Sequence, residues 1–138
     1  MNITVKHPLK KNHITNHENG PRIIFWELTE GCNLKCIHCR ATAQPQRSPD
    51  ELSTKQAFKV IDEITDFGNP LLILTGGEPL YRPDFFDIAE YACQKGLTVA
   101  MASNGTLITE PIAKKIKQVG IKRVAISFDG PFSSIHDQ

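Results

Sequence analysis

The sequence predicts an α/β fold of parallel strands joined by crossover helices, most simply a partial (β/α) barrel of four strands and three helices. Three observations carry that reading. Short apolar, β-rich runs alternate strictly with stretches of helical periodicity, and strict alternation gives parallel strands with crossover connections. The strand runs are near-continuous in apolar residues, which fits a sheet covered by helices on one face and buried on the other. The polar or Gly-rich signals all fall at the C-terminal ends of the strand runs, where barrels build their sites. An open doubly wound sheet places ligands there too and stays open as an alternative. No Gly-x-Gly-x-x-Gly follows the first strand, which counts against a dinucleotide-binding sheet.

The elements follow in order. Residues 1–20 are polar, rich in Lys, His and Asn, and read as a flexible N-terminal arm; residues 21–138 form the folded part. Residues 23–28 are the first strand, and the loop after it holds three cysteines. Ser53 with Gln56 is a capping-box start, and Ala57, Val60, Ile61, Ile64 and Phe67 recur at helical spacing until Gly68 stops the helix. Residues 71–74 are the second strand, leading into Gly76-Gly77-Glu78-Pro79. Pro83 and Asp84 open a second helix through Phe85, Ile88, Ala89 and Ala92, closed by Gly96. A third strand covers residues 97–102 and ends at Ser103-Asn104-Gly105. Thr109 and Pro111 begin a third helix through Ile112, Ile116 and Val119, stopped by Gly120, and residues 121–128 are the fourth strand.

Composition narrows the function classes. With 138 residues, 40% hydrophobic and 22% charged, the chain is one globular domain or less. A formal net charge of +1 gives no case for nucleic acid or an anionic membrane as partner. Apolar runs such as residues 71–74 are far too short to span a bilayer. No apolar stretch follows the basic residues near the N-terminus, so no signal peptide is expected. Three of the four cysteines crowd into one loop, which is metal-site spacing rather than a disulfide framework and suits a cytoplasmic protein.

The strongest signal is Cys32-Asn33-Leu34-Lys35-Cys36-Ile37-His38-Cys39. An iron–sulfur cube has four irons, and three thiolates leave one without a protein ligand. Such a vacancy is what a metal needs if a small molecule is to bind it directly. Three other readings stay open. The cysteines could be small residues of a buried helical stripe. They could hold structural zinc, with a fourth ligand such as His13 or His17 from the arm. Cys36 and Cys39 could form a thioredoxin-type redox pair that leaves Cys32 idle. Cys93, on the second helix, reads as a small core or rim residue.

These residues resemble the radical S-adenosylmethionine (SAM) superfamily, whose signature is Cys-x3-Cys-x2-Cys after the first barrel strand. The resemblance runs from Arg22 onward, and further motifs match in order. It implies a TIM-type barrel core with a 4Fe-4S cluster held by Cys32, Cys36 and Cys39, and SAM on the open iron. Gly76-Gly77-Glu78 resembles the family's GGE motif, implying that these residues bind the SAM ammonium. The chemistry is sound, because an ammonium has only donors and glycines let backbone carbonyls approach closely. By the same resemblance His38 lies near the adenine, Ser103 and Asn104 line the SAM site, and Ser127, followed by Asp129, touches ribose or carboxylate.

Thr29-Glu30-Gly31-Cys32 and Ile37-His38-Cys39-Arg40-Ala41 are most similar to the haem-biosynthesis branch, the haem b synthase and haem d1 group with SPASM-type C-terminal domains. That resemblance implies a radical SAM oxidoreductase working on a tetrapyrrole, for example by oxidative decarboxylation of propionates, with flavodoxin or ferredoxin as electron donor. A SPASM-type enzyme acting on a peptide is the nearby alternative. The family core has six strand–helix units, whereas four strands are legible here. The expectation is therefore an N-terminal fragment of a longer protein.

Overall fold

Four strands, β1 (Ile23–Glu27), β2 (Leu71–Thr75), β3 (Thr98–Ser103) and β4 (Arg123–Ile126), pair in parallel in the order β1-β2-β3-β4. The structure is a computed structural model that describes residues 20–128 and Gly130. Helices α1 (Thr54–Phe67), α2 (Phe85–Gln94) and α3 (Glu110–Gln118) alternate with the strands, and one 3-10 turn, Pro79–Tyr81, precedes α2. The order never reverses. A doubly wound sheet reverses direction at its switch point, whereas crossovers of one hand advancing in one direction put every helix on the same face. The winding is that of a (β/α) barrel segment.

Burial follows the winding. Leu72 and Leu74 of β2 and Val99 and Met101 of β3 are fully buried, in one cluster with Ala57 and Ile61 of α1 and Phe85, Ile88, Ala89 and Ala92 of α2. Each large side chain in that layer stabilises the fold by roughly 1.5–3 kcal/mol. α1 starts as its sequence dictates, because the Ser53 hydroxyl accepts from Gln56 N while Gln56 Oε1 accepts from Ser53 N. Gly96 and Gly120 take positive φ (89° and 97°), where a side chain would be strained, and turn the chain from helix to strand.

Several expectations change. The opposite sheet face is only partly buried among the described residues: in the row Phe25–Ile73–Ala100–Arg123, Ala100 is buried but Phe25 is 69% exposed. All four residues of β4 are exposed, at an edge where no further strand pairs among the described residues. β4 is also shorter than expected, since Ile121 tucks back against the end of α3, its N–H donating to Ile116 O. β3 extends to Ser103. Phe67, read as a core position, is exposed on the last turn of α1. Except for Gly20, the N-terminal arm, with His13 and His17, lies outside the described residues, as does Asp129.

Candidate functional site

Two loops clasp each other at the C-terminal end of the sheet. The loop after β1 is pinched shut at its neck, where Gly31 bridges Gln44: Cys32 N donates to Gln44 O (2.8 Å) and Gln44 N to Glu30 O (2.8 Å). Cys32 stands at that neck and Cys36 and Cys39 beyond it, on a stretch with turns (Cys39 N to Cys36 O, 3.2 Å) and no helix. A buried helical stripe is therefore excluded. The loop after β2 lies against the neck, with Gly77 N on Thr29 O (2.8 Å) and Glu78 N on Gly31 O (2.9 Å). The glycines permit this approach. A Cβ on Gly77 would sit 2.5 Å from Gly31 O, and one on Gly76, at φ 143°, would sit 2.4 Å from Thr29 O.

Between the loops and the strand ends lies a cavity of about 230 Å³. The cysteine loop contributes Cys32, Cys36, Cys39 and His38; the loop after β2 contributes Gly76 and Gly77; the end of β3 contributes Ser103 with Asn104 just beyond it, and Ser127 follows β4. Of the sequence-predicted site residues, Glu78 alone is not on its wall. Thr75, Ala102 and Arg40 also line it and were not singled out by the sequence. Ser127 is set in place by its N–H, which donates to Ser103 O (3.0 Å). Cys32 is buried, Cys36 and Cys39 are half-buried, and His38 is exposed at the rim. No disulfide joins them.

The donor set of this wall is three thiols and one imidazole with no carboxylate. It suits a soft, thiolate-bound centre and not a hard oxygen-bound cation. Among the described residues, no three Cys, His, Asp or Glu side chains are gathered closely enough to hold a metal ion. To grip a cluster or a zinc ion, the three thiols would have to draw closer together.

Glu78 stands behind the wall. Its side chain is fully buried, with its carboxylate accepting from Leu80 N (3.1 Å), from Asn104 N (2.8 Å) and, through both oxygens, from the Ser103 hydroxyl (3.0 Å each). Every one of these donors is neutral. Ser103 and Asn104 thus stand between Glu78 and the cavity, and Glu78 holds them in place.

A second buried group, missed by the sequence reading, braces the site from below. Arg82 donates to Leu28 O (2.8 Å), to Leu52 O (2.6 Å) and, in a fork, to Asp84 (2.7 and 2.9 Å), tying β1 to the approach of α1 and the start of α2. Asp84 stands at the N-cap of α2 but makes no side-chain cap bond, because its carboxylate is taken by Arg82 and the Thr54 hydroxyl (2.6 Å). Partial burial pushes the Asp84 carboxyl up, but the bonds from Arg82 and Thr54 outweigh it and hold it down to about 2. The one signal available was an Arg and an Asp flanking Pro83, two residues apart.

The family model that matches this chain is the radical SAM superfamily, over residues 26–138. The chain belongs to the radical SAM superfamily. Members use a 4Fe-4S cluster and SAM, and the fold agrees. The solved structure of native anSMEcpe with bound AdoMet superposes with a TM-score of 0.65 at 27% identity, covering 83% of this chain and 33% of that one. Among sequence relatives, the AdoMet-dependent heme synthase of Methanosarcina barkeri is 49% identical over 119 residues, which is 86% of this chain and 34% of the relative. The mycofactocin maturase of Mycobacterium tuberculosis is 36% identical over 119 residues, 86% of this chain and 30% of the relative. The chain thus spans about a third of the length of these curated relatives. No helix among the described residues is long and apolar enough to cross a membrane.

Proposed function

We propose that this radical SAM chain carries the cluster and SAM site of a cytoplasmic oxidoreductase that modifies tetrapyrrole side chains, as in oxidative decarboxylation of propionates during haem biosynthesis. The observation that supports it most is the single cavity onto which Cys32, Cys36, Cys39, the Gly76-Gly77 backbone and the polar strand ends all open. Cys32, Cys36 and Cys39 supply three thiolates, and three leave one iron open. The 4Fe-4S cluster, when bound, supplies the electron that splits SAM into methionine and a 5′-deoxyadenosyl radical.

The chain's own residues bind and orient. Gly76 and Gly77 offer backbone carbonyls to the SAM ammonium, and Glu78 places a negative charge behind them. Ser103 and Asn104, fixed by Glu78, line the same end of the site, while Ser127 faces ribose or carboxylate and His38 the adenine. The tetrapyrrole reading is supported by the higher identity to the heme synthase (49%) than to the mycofactocin maturase (36%). Flavodoxin or ferredoxin is the proposed electron donor. Anaerobic reconstitution with iron and sulfide, then reductant and SAM, tests the proposal. Reductant-dependent 5′-deoxyadenosine is expected from the unaltered chain and none from Cys39→Ala; its absence from both would reject the reading. An offered peptide losing hydrogen to the radical, with iron-coproporphyrin untouched, would move the substrate class to peptides.

A further inference from the structure

Asn104 faces the cysteine loop from the end of β3, with its amide held in one orientation. Its Oδ1 accepts from Thr106 N (2.9 Å) and from the Thr106 hydroxyl (2.7 Å). A backbone N–H can only donate, so the amide oxygen has to lie on that side and the NH2 on the other. The NH2 donates to Asn33 Oδ1 (3.0 Å) and lies 3.7 Å from Cys32 Sγ. Asn33 Nδ2 donates in turn to the Thr106 hydroxyl (2.8 Å), closing a ring of three side chains around the contact. The backbone end of Asn104 is pinned as well, its N–H on Glu78 Oε2 (2.8 Å). Leu34 N is a second donor to Cys32 Sγ, at 3.4 Å. Of the three clustered cysteines Cys32 alone is buried, and there a dipole aimed at sulfur is least screened by water.

We infer that Asn104 sets the reduction potential of the cluster through the sulfur of Cys32. This rests on the reading above that Cys32 is a cluster ligand. Reduction by one electron adds negative charge to the cube and its sulfurs, and hydrogen bonds to those sulfurs are one of the levers that fix cluster potentials. An N–H directed at a ligating sulfur stabilises the reduced state more than the oxidised one, because hydrogen bonds strengthen with charge on the acceptor. Glu78 pins the Asn104 backbone and Thr106 holds its amide oxygen, so the NH2 is kept on the Cys32 side. Asn104 is in this sense a positioning residue of the cluster side of the site.

The test is a redox titration followed by electron paramagnetic resonance, on the anaerobically reconstituted chain and on N104L, N104D and T106V, after iron per chain has been measured. With iron content equal, the ratio of reduced to oxidised cluster at the unaltered midpoint is expected to fall about tenfold in N104L, a downward shift of about 59 mV for one electron. N104D, which puts an oxygen where the donor was, is expected to shift further in the same direction. T106V leaves Asn104 in place but loosens its clamp, and a smaller downward shift is expected. If the Asn104 variants do not fold or load, T106V alone decides. Midpoints unmoved at normal iron content would overturn the inference and leave the cluster reading standing; failure of the unaltered chain to take up any cluster would overturn both.

Discussion

Glu78 and Asp84 lie on the same connection between β2 and α2, yet their electrical settings are opposite. Asp84 is met by the Arg82 guanidinium through two bonds and by a hydroxyl. Glu78 is more deeply buried and, among the described residues, meets only two backbone N–H groups and one hydroxyl. A buried carboxylate without a cation is expensive, because neutral hydrogen bonds offset only part of the lost hydration. The contrast separates two uses of a buried acid. Below the site, charge is cancelled internally and the product is architecture. Directly behind the cavity it is left uncancelled, which suits a ligand that brings its own positive charge, as the SAM ammonium does.

Four changes break or sharpen that contrast. The largest effect is expected from Arg82→Met, which strands Asp84 and the carbonyls of Leu28 and Leu52 without their donor. Removing one partner of a buried pair lowers stability by about 3–5 kcal/mol, readable as a collapse of the melting temperature. Glu78→Gln keeps the shape and removes the charge. SAM affinity, measured anaerobically by calorimetry, is expected to weaken by about 10–100-fold, the through-space effect of one nearby charge in a poorly screened setting. Asp84→Asn should leave that affinity unchanged, and equal weakening by both would dissolve the contrast. Gly77→Ala drives a Cβ into Gly31 O and Glu30 O. Overpacking of about 1–3 kcal/mol is expected to part the two loops, so that iron uptake on reconstitution drops while the helical signal in circular dichroism stays.

The smallest effect is the acid limb of stability. Asp84 is held at about 2 in the folded state against an ordinary 3.8. A depressed carboxyl contributes stability above its unfolded value and loses it as pH falls through the folded one. Unfolding by denaturant should therefore become easier between pH 4 and pH 2 by about 1–2 kcal/mol, discounted for solvent around the pair. Asp84→Asn should lack this step across that window.

Much of the scaffold was legible because it is local. The Ser53–Gln56 box, the stops at Gly96 and Gly120 and the cysteine spacing are set by residues a few positions apart, and each stands where the sequence put it. What could not be read is non-local. Arg82 reaches Leu28 across 54 positions, and Asn104 reaches Cys32 across 72. Neither pairing leaves a periodicity or a capping pattern. Glu78 shows the same limit within one motif. Its presence beside two glycines was visible, but its turn inward depends on β3 bringing the Ser103 hydroxyl and Asn104 N–H to it. Phe67 was misread because helical spacing marks a face without saying how far the sheet beneath it extends.

The most direct measurement compares the paramagnetic resonance spectrum of the reduced, anaerobically reconstituted chain before and after SAM is added. A cube held by Cys32, Cys36 and Cys39 alone has one iron open to SAM, so a cluster signal that changes on SAM addition is expected. A colourless zinc protein, or a cluster whose spectrum ignores saturating SAM because a protein ligand already fills every iron, would contradict it.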